Sequence, residues 1–269
     1  MAVKLEFDQR PKAVLALNDS LIMIKRSGTH IIRNTDQLLG TFFQPIMFLV
    51  LFASVFGGAI SKALPEGVSY LNFLMAGIIV QTAAFGSTTT ALAVCNDLQK
   101  GIVDRFRSLP MSTLAVLNGH VVSDLFRNSI STIVMILAGL VIGFRPHASV
   151  TEWLLLASIL LLFTLAFSWL SAILGIVAKS VEGVQWLGFV LVFPLTFAST
   201  AFVPAEGMNS VLKAFAVNQP ITHIVEALRA LILGKPLGDH GWLAIVWSVA
   251  ILVIAVPLAT IMFKRKTAN

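Results

Sequence analysis

Six apolar runs follow one another along the chain, at residues 43–60, 70–94, 128–144, 152–178, 184–203 and 242–263, with few charges inside them. Each approaches or exceeds the roughly 20 helical residues that cross a hydrocarbon core. None shows the alternation of apolar and polar positions that marks a barrel strand, so each predicts a helix with its backbone bonds closed internally. Pro45 near the start of the first run, and Gly183, Gly188 and Pro194 in the fifth, predict kinks. Ahead of the first run, Val14, Leu17, Leu21, Ile24 and Ile31 share one helical face while Asp19, Arg26 and Arg33 share another. Residues 1–40 therefore read as a tail with a helix lying in the membrane interface, the plainer alternative being a soluble tail helix.

Composition agrees with membrane as the solvent: 57% of residues are hydrophobic, 12% are charged, and mean hydropathy is +0.88, whereas soluble domains carry about 25% charged residues. The net charge of +6 would point to nucleic acid in a soluble protein, but position along the chain gives it another meaning. With a cytoplasmic N-terminus, Lys4, Arg10, Lys12, Lys25, Arg26, Arg33, Lys100, Arg105, Arg107, Arg127, Lys179, Lys264, Arg265 and Lys266 fall inside. Lys62, Arg145, Lys213, Arg229 and Lys235 fall outside. Fourteen against five is the excess that orients membrane proteins, so the expected arrangement has both termini cytoplasmic and no nucleic-acid partner. The single cysteine, Cys95, excludes an internal disulfide and reads as a small buried hydrophobe.

The loop between the second and third runs reads as a short amphipathic helix over 96–110. Asn96 and Gln99 suit an N-cap and its partner, Pro110 a stop. Leu98, Ile102, Phe106 and Leu109 share one face; Lys100, Asp104 and Arg107 share another. Such a helix can lie on lipid headgroups, or present Phe106 and its flanking arginines to a groove on a soluble partner. Residues 204–236 hold two stretches too short to span: Met208, Val211, Leu212 and Phe215, then Ile221, Ile224, Val225, Leu228, Leu231 and Ile232. Pro220 suits a first helical position, Gly234 the residue past the end, and Glu226 and Arg229 an i,i+3 pair, which predicts a helix over about 220–233. Spacing alone leaves interfacial and re-entrant placements open.

The run Lys100-Gly101-Ile102-Val103-Asp104-Arg105-Phe106-Arg107-Ser108-Leu109-Pro110-Met111-Ser112, with Ala115-Val116-Leu117, Asp124 and Arg127-Asn128 after it, closely resembles the permease subunits of ABC-2 type exporters. The branch it is most similar to is that of the daunorubicin-resistance drug permeases. A second matching block comprises Ala201-Phe202-Val203-Pro204, Met208, Leu212, Phe215-Ala216, Gln219-Pro220-Ile221-Thr222 and Ala227-Leu228-Arg229-Ala230-Leu231-Ile232-Leu233-Gly234. One departure is Thr35 after Arg33-Asn34, where the family often has proline.

The resemblance implies one all-α integral membrane domain over 1–269: six transmembrane helices, the N-terminal interfacial helix, a cytoplasmic coupling helix and an extracellular re-entrant helix pair. It also implies a separate ATPase subunit, with ATP and magnesium bound there and no cofactor on this chain. Lys100, Gly101, Ile102, Asp104, Arg105, Phe106, Arg107, Leu109 and Pro110 would couple to that subunit, Phe106 and Leu109 packing into its groove and Arg105 and Arg107 meeting acidic groups at its edge. Pro220, Glu226 and Arg229 would belong to an outer gate. A second copy of the chain, most simply a homodimer, would complete a path for an amphipathic or hydrophobic substrate: drug, lipid or glycan. Phe48, Phe52 and Phe56, on one face of the first span, are candidate lining, with lipid contact or core packing as the plain alternative.

Other signals point away from chemistry. The one Gly-Lys, Gly234-Lys235, is followed by Pro236, so no phosphate loop is present. His30, His120, His147, His223 and His240 are scattered without metal-ligand spacing. Ser168 and Ser171 have no base nearby in sequence, which disfavours an intramembrane enzyme. Gly139 and Gly143 form a Gly-x-x-x-Gly expected to serve packing within one chain. Asp124 and Arg127 read as a pair anchoring the cytoplasmic end of the third span, and the absence of an acid from Ser129 to Phe144 weakens a proton-coupled carrier. The rival to an exporter is a membrane scaffold or channel-like protein without an ATPase.

Overall fold

The computed structural model describes residues 35–64, 68–101 and 113–268. Eight α-helices make up the described architecture: α1 (Thr35–Ile60), α2 (Tyr70–Gln99), α3 (Thr113–Ile142), α4 (Val150–Val177), α5 (Val181–Phe197), α6 (Ser210–Asn218), α7 (Pro220–Ile232) and α8 (Gly238–Ala268). Their boundaries follow local chemistry. Ser69, Ser180 and Asn209 cap α2, α5 and α6 by accepting from backbone N–H groups two or three residues into each helix. Ser149 and Glu152 form a reciprocal capping box at the start of α4, with Ser149 N–H donating to the Glu152 carboxylate at 2.6 Å. Gly101 and Gly234, at φ of 61° and 63°, take the left-handed conformation just past the ends of α2 and α7.

Among the described residues five helices are long and apolar enough to cross a membrane: α1, α2, α3, α4 and α8. α5 is apolar but has 17 residues, because the fifth run does not continue to 203. Pro194 lacks an N–H, the helix stops at Phe197, and 198–203 folds back in turns. The third run extends the other way: its helix already includes Thr113, fifteen residues before the expected start, so Asp124 and Arg127 lie within a span and not at its end. The expected helix start at Asn96 is also corrected. α2 runs through Asn96 to Gln99, and Lys100 N–H closes on the Asn96 carbonyl at 3.0 Å. Residues 1–34 of the N-terminal segment and residues 102–110 of the coupling segment lie outside the described residues, while 35–40, expected in the tail, belong to α1.

α2 is the inner column. It packs against α1, α3, α4, α5 and α7, while α4 packs in turn against α8. Its buried side includes Leu74, Met75, Ile78, Ile79, Val80 and Ala84. The outward faces of α1, α3 and α8 carry exposed Phe43, Val55, Ile133, Val141, Val253 and Ile254, as lipid-facing helices should. Association between apolar helices in lipid depends on close packing, which small residues permit. A Cβ placed on Gly175 of α4 would lie 2.3 Å from the Ala91 carbonyl of α2, and one on Gly77 would lie 2.1 Å from the Ala201 carbonyl. Gly139 packs inside the chain against Met75, whereas Gly143, at φ 120°, ends α3.

Gly175→Ala should therefore force α2 and α4 apart and lower stability by about 1–3 kcal/mol. Gly58→Ala, whose new Cβ meets nothing within 4 Å, should cost nothing measurable. Thermal unfolding of both variants in detergent followed by tryptophan fluorescence reads the difference; equal melting points would contradict the close-packed seam.

Candidate functional site

An aromatic seam joins α1 to α5. Phe48, Phe52 and Phe56 lie along one face of α1, with ring centroids 6.0 Å and 5.2 Å apart. Phe52 stacks on Phe202 at 4.8 Å and also meets Phe197 at 6.4 Å. From Phe197 the contacts continue down α5 through Phe193 at 4.1 Å and Phe189 at 4.8 Å to Trp186 at 6.4 Å. Phe48 and Phe52 are half-buried against the core, whereas Phe56, Phe189, Phe193 and Trp186 expose a large share of their rings. The three expected lining residues are thus gathered, and they form one end of a longer ladder. Phe189, Phe193 and Phe197 were readable as a four-residue repeat on one helical face. Phe202 was not, because it reaches Phe52 only through the fold-back after Phe197.

At the end of the bundle carrying α6 and α7, the polar groups are fixed by tertiary contacts. α7 buries Ile221, Ile224, Val225, Leu228 and Ile232 completely among α2, α4 and α8, with Pro220 at its first turn as expected. α6, in contrast, leaves Val211 and Phe215 exposed. Arg229 is buried and uses its whole guanidinium. Nη1 donates to the Glu226 carboxylate at 2.5 Å, Nη2 to the Thr200 carbonyl at 2.7 Å and Nε to the Phe73 carbonyl at 3.2 Å. The group also lies 3.6 Å over the Phe73 ring. Gln219 Nε2 donates to the Leu195 and Ala198 carbonyls at 2.7 and 2.8 Å, satisfying acceptors at the broken end of α5. Two histidines that look scattered in sequence meet here: His223 Nδ1 lies 3.0 Å from His240 Nδ1. Among the described residues no group of three or more metal-ligating side chains gathers.

A second polar cluster occupies the middle of the bundle. On α3, Asp124 pairs with Arg127; on α4, Ser168 donates to the same carboxylate; on α2, Thr89 donates to it at 3.3 Å. Arg127 Nη2 also donates to the Gly86 carbonyl of α2 at 2.7 Å. Asp124, Arg127 and Ser168 are all more than nine-tenths buried. The cluster sits about 17 Å along α3 from Thr113 at ~1.5 Å per residue. The expectation of a pair anchoring a helix end is therefore replaced by a buried junction of three helices.

Toward the other end, His120 Nε2 lies 3.0 Å from Asp97 Oδ2, bridging α3 to the last turn of α2. Lys266 of α8 donates to the Ile176 carbonyl at the end of α4, and Gln99 Nε2 to the Lys179 carbonyl at 2.9 Å. Of the expected coupling residues, Lys100 and Gly101 close the end of α2. Ile102, Asp104, Arg105, Phe106, Arg107, Leu109 and Pro110 lie outside the described residues. Cys95 is buried with Ala91, Ala178 and Val184.

A helical bundle in which five of the described helices are long and apolar enough to cross a membrane is the frame of a multi-pass membrane protein. The sequence profile of the ABC-2 type transporter family matches residues 19–233, most of the chain, and the chain belongs to that family. It is 29% identical over 262 residues to the daunorubicin resistance ABC transporter permease protein DrrB1 of Streptomyces coeruleorubidus, covering 97% of this chain and 91% of that one. It is 25% identical over 261 residues to the probable doxorubicin resistance ABC transporter permease protein DrrC of Mycobacterium tuberculosis, covering 96% and 92%. Nodulation protein J of Rhizobium meliloti is 24% identical over 208 residues, covering 76% of this chain and 77% of that one.

The histidine pair generates a pH dependence. Burial first, and the neighbouring His240 ring second, push the His223 imidazole below its ordinary value against the opposing pull of Glu226. As pH falls below about 6.5, the unfolded histidine takes up a proton that the folded one resists, so the contribution of the neutral pair to stability is lost on acidification. Melting temperature should drop from pH 7.5 to 5.5 in the wild type and drop less in His223→Gln; identical pH profiles would contradict the pairing.

Proposed function

We propose that this chain is the membrane-spanning permease subunit of an ATP-driven exporter for amphipathic or hydrophobic substrates. The observation that carries the reading is the continuous aromatic ladder from Phe48 and Phe56 through Phe52, Phe202 and Phe197 to Trp186. Partly exposed rings along a helix pair give an apolar surface that binds flat hydrophobic molecules without fixing one of them. Resemblance to permeases named for daunorubicin and doxorubicin resistance supports the same substrate class.

In this reading α5 is the sixth span. Its 17 residues give about 26 Å of helix, close to the hydrocarbon thickness. The N- and C-termini are cytoplasmic, in line with the basic-residue excess, and the whole chain acts as one transmembrane domain without ATPase activity of its own. A separate ATPase subunit binds ATP and magnesium and engages residues 100–110, while a second copy of the chain closes the path. The 204–236 segment enters from the outer side as a re-entrant pair whose Glu226–Arg229 contact steadies an outer gate. Burial of α7 along its apolar face favours that placement over an interfacial one.

Two measurements test the reading. Phe106→Ala with Arg107→Ala should abolish co-purification with the proposed ATPase subunit while membrane insertion persists; an intact complex would return that segment to the lipid surface. Phe52→Ala should lower export of a fluorescent amphipathic cation several-fold with the complex intact, because it removes the ring that meets four others. Unchanged export would make the seam ordinary helix packing.

A further inference from the structure

Asp124 and Arg127 form a charged pair in the middle of a membrane bundle, where such a pair adds little stability over well-packed apolar side chains. What it does supply is register. Asp124 is held by three helices at once: Arg127 of its own α3, Thr89 of α2 and Ser168 of α4. Arg127 in turn grips α2 at the Gly86 carbonyl. Asn128 continues the same face, with its amide pressed on Gly86, where even a methyl group would collide with it. One turn toward the other end, His120 reaches Asp97 at 3.0 Å. His120, Asp124 and Arg127 recur every three or four residues on α3, facing Asp97, Thr89 and Gly86 on antiparallel α2. The seam is thus a ladder of polar rungs from the last turn of α2 to the middle of α3. Sliding α3 against α2 by one turn, about 5.4 Å, would break every rung. In hydrocarbon no water replaces them.

We propose that Asp124 and Arg127 are positioning residues for transport: they lock α2 and α3 into one rigid lever and, through Ser168, pass its displacement to α4 at mid-membrane. This rests on the exporter reading, because the displacement originates in ATP-driven closure at the ends of α2 and α3. Ser168 is the weakest rung to remove, since its loss deletes one hydroxyl, leaves Arg127 to hold the Asp124 carboxylate and keeps the α2–α3 rungs intact. Ser168→Ala therefore removes the hydrogen bond from the Asp124–Arg127 pair to α4 while leaving the α2–α3 rungs and the apolar packing of α2 on α4 in place.

The test reconstitutes the complex of permease and ATPase in vesicles and measures ATP hydrolysis and uptake of a fluorescent amphipathic cation in the same sample. Ser168→Ala should assemble, hydrolyse ATP within about twofold of wild type and transport at least fivefold less per ATP; Ser168→Thr, which keeps the hydroxyl, should restore the ratio. Asp124→Asn should lower the ratio further, and if that variant fails to accumulate, the serine pair decides alone. An unchanged transport-to-hydrolysis ratio in Ser168→Ala, or a proportional fall of both activities, overturns the proposal. Absence of ATP-driven transport in the wild type overturns the exporter reading and this inference with it.

Discussion

Hydrocarbon offers a polar atom no partner, so the strongest donors and acceptors buried in this chain are met from within the bundle. That constraint explains why α2 is the column on which the others lean. Its apolar side chains fill the core, and its backbone and hydroxyls serve the charged groups that neighbouring helices bring in. The Gly86 carbonyl receives Arg127, the Phe73 carbonyl receives Arg229, and Thr89 meets Asp124. Two arginines on separate helices are thus tied to the same column at different depths.

The same constraint shapes the end that carries α6 and α7. α5 ends at Phe197, before it completes a generous crossing, which leaves helix-end carbonyls that cannot be left bare. Gln219 takes the Leu195 and Ala198 carbonyls, Arg229 takes that of Thr200, and the turn between them settles on Gly77 because a side chain there would collide. The fold-back places Phe202 against Phe52 and completes the aromatic seam. One break in a helix is therefore tied to both the pathway candidate and the buried helix α7.

Much of this was legible in the residues, and the remainder was hidden for identifiable reasons. Apolar length located five long helices and the helix from Pro220, whose period and flanking proline and glycine agree with its structure. That Phe48, Phe52 and Phe56 share one face of α1 was readable from their four-residue spacing. The start of the third helix was misplaced because the polar residues Ser123, Asp124, Arg127 and Asn128 look like a loop when read as hydropathy; all four are buried inside the bundle, with Asp124 and Arg127 paired. Asn96 looked like a helix start because a capping residue and its partner also occur by chance within a continuing helix. The His223–His240 contact joins two helices that sequence cannot orient, and it left no local signal.

The central claim is that this bundle moves hydrophobic molecules across the membrane when a partner hydrolyses ATP. Reconstituting the purified chain with and without the ATPase subunit, and following accumulation of a fluorescent amphipathic cation in sealed vesicles on adding ATP and magnesium, tests it most directly. The account predicts accumulation only when both proteins and hydrolysable ATP are present. Equal dye movement with the permease alone, or none with the assembled and hydrolysing complex, would contradict it.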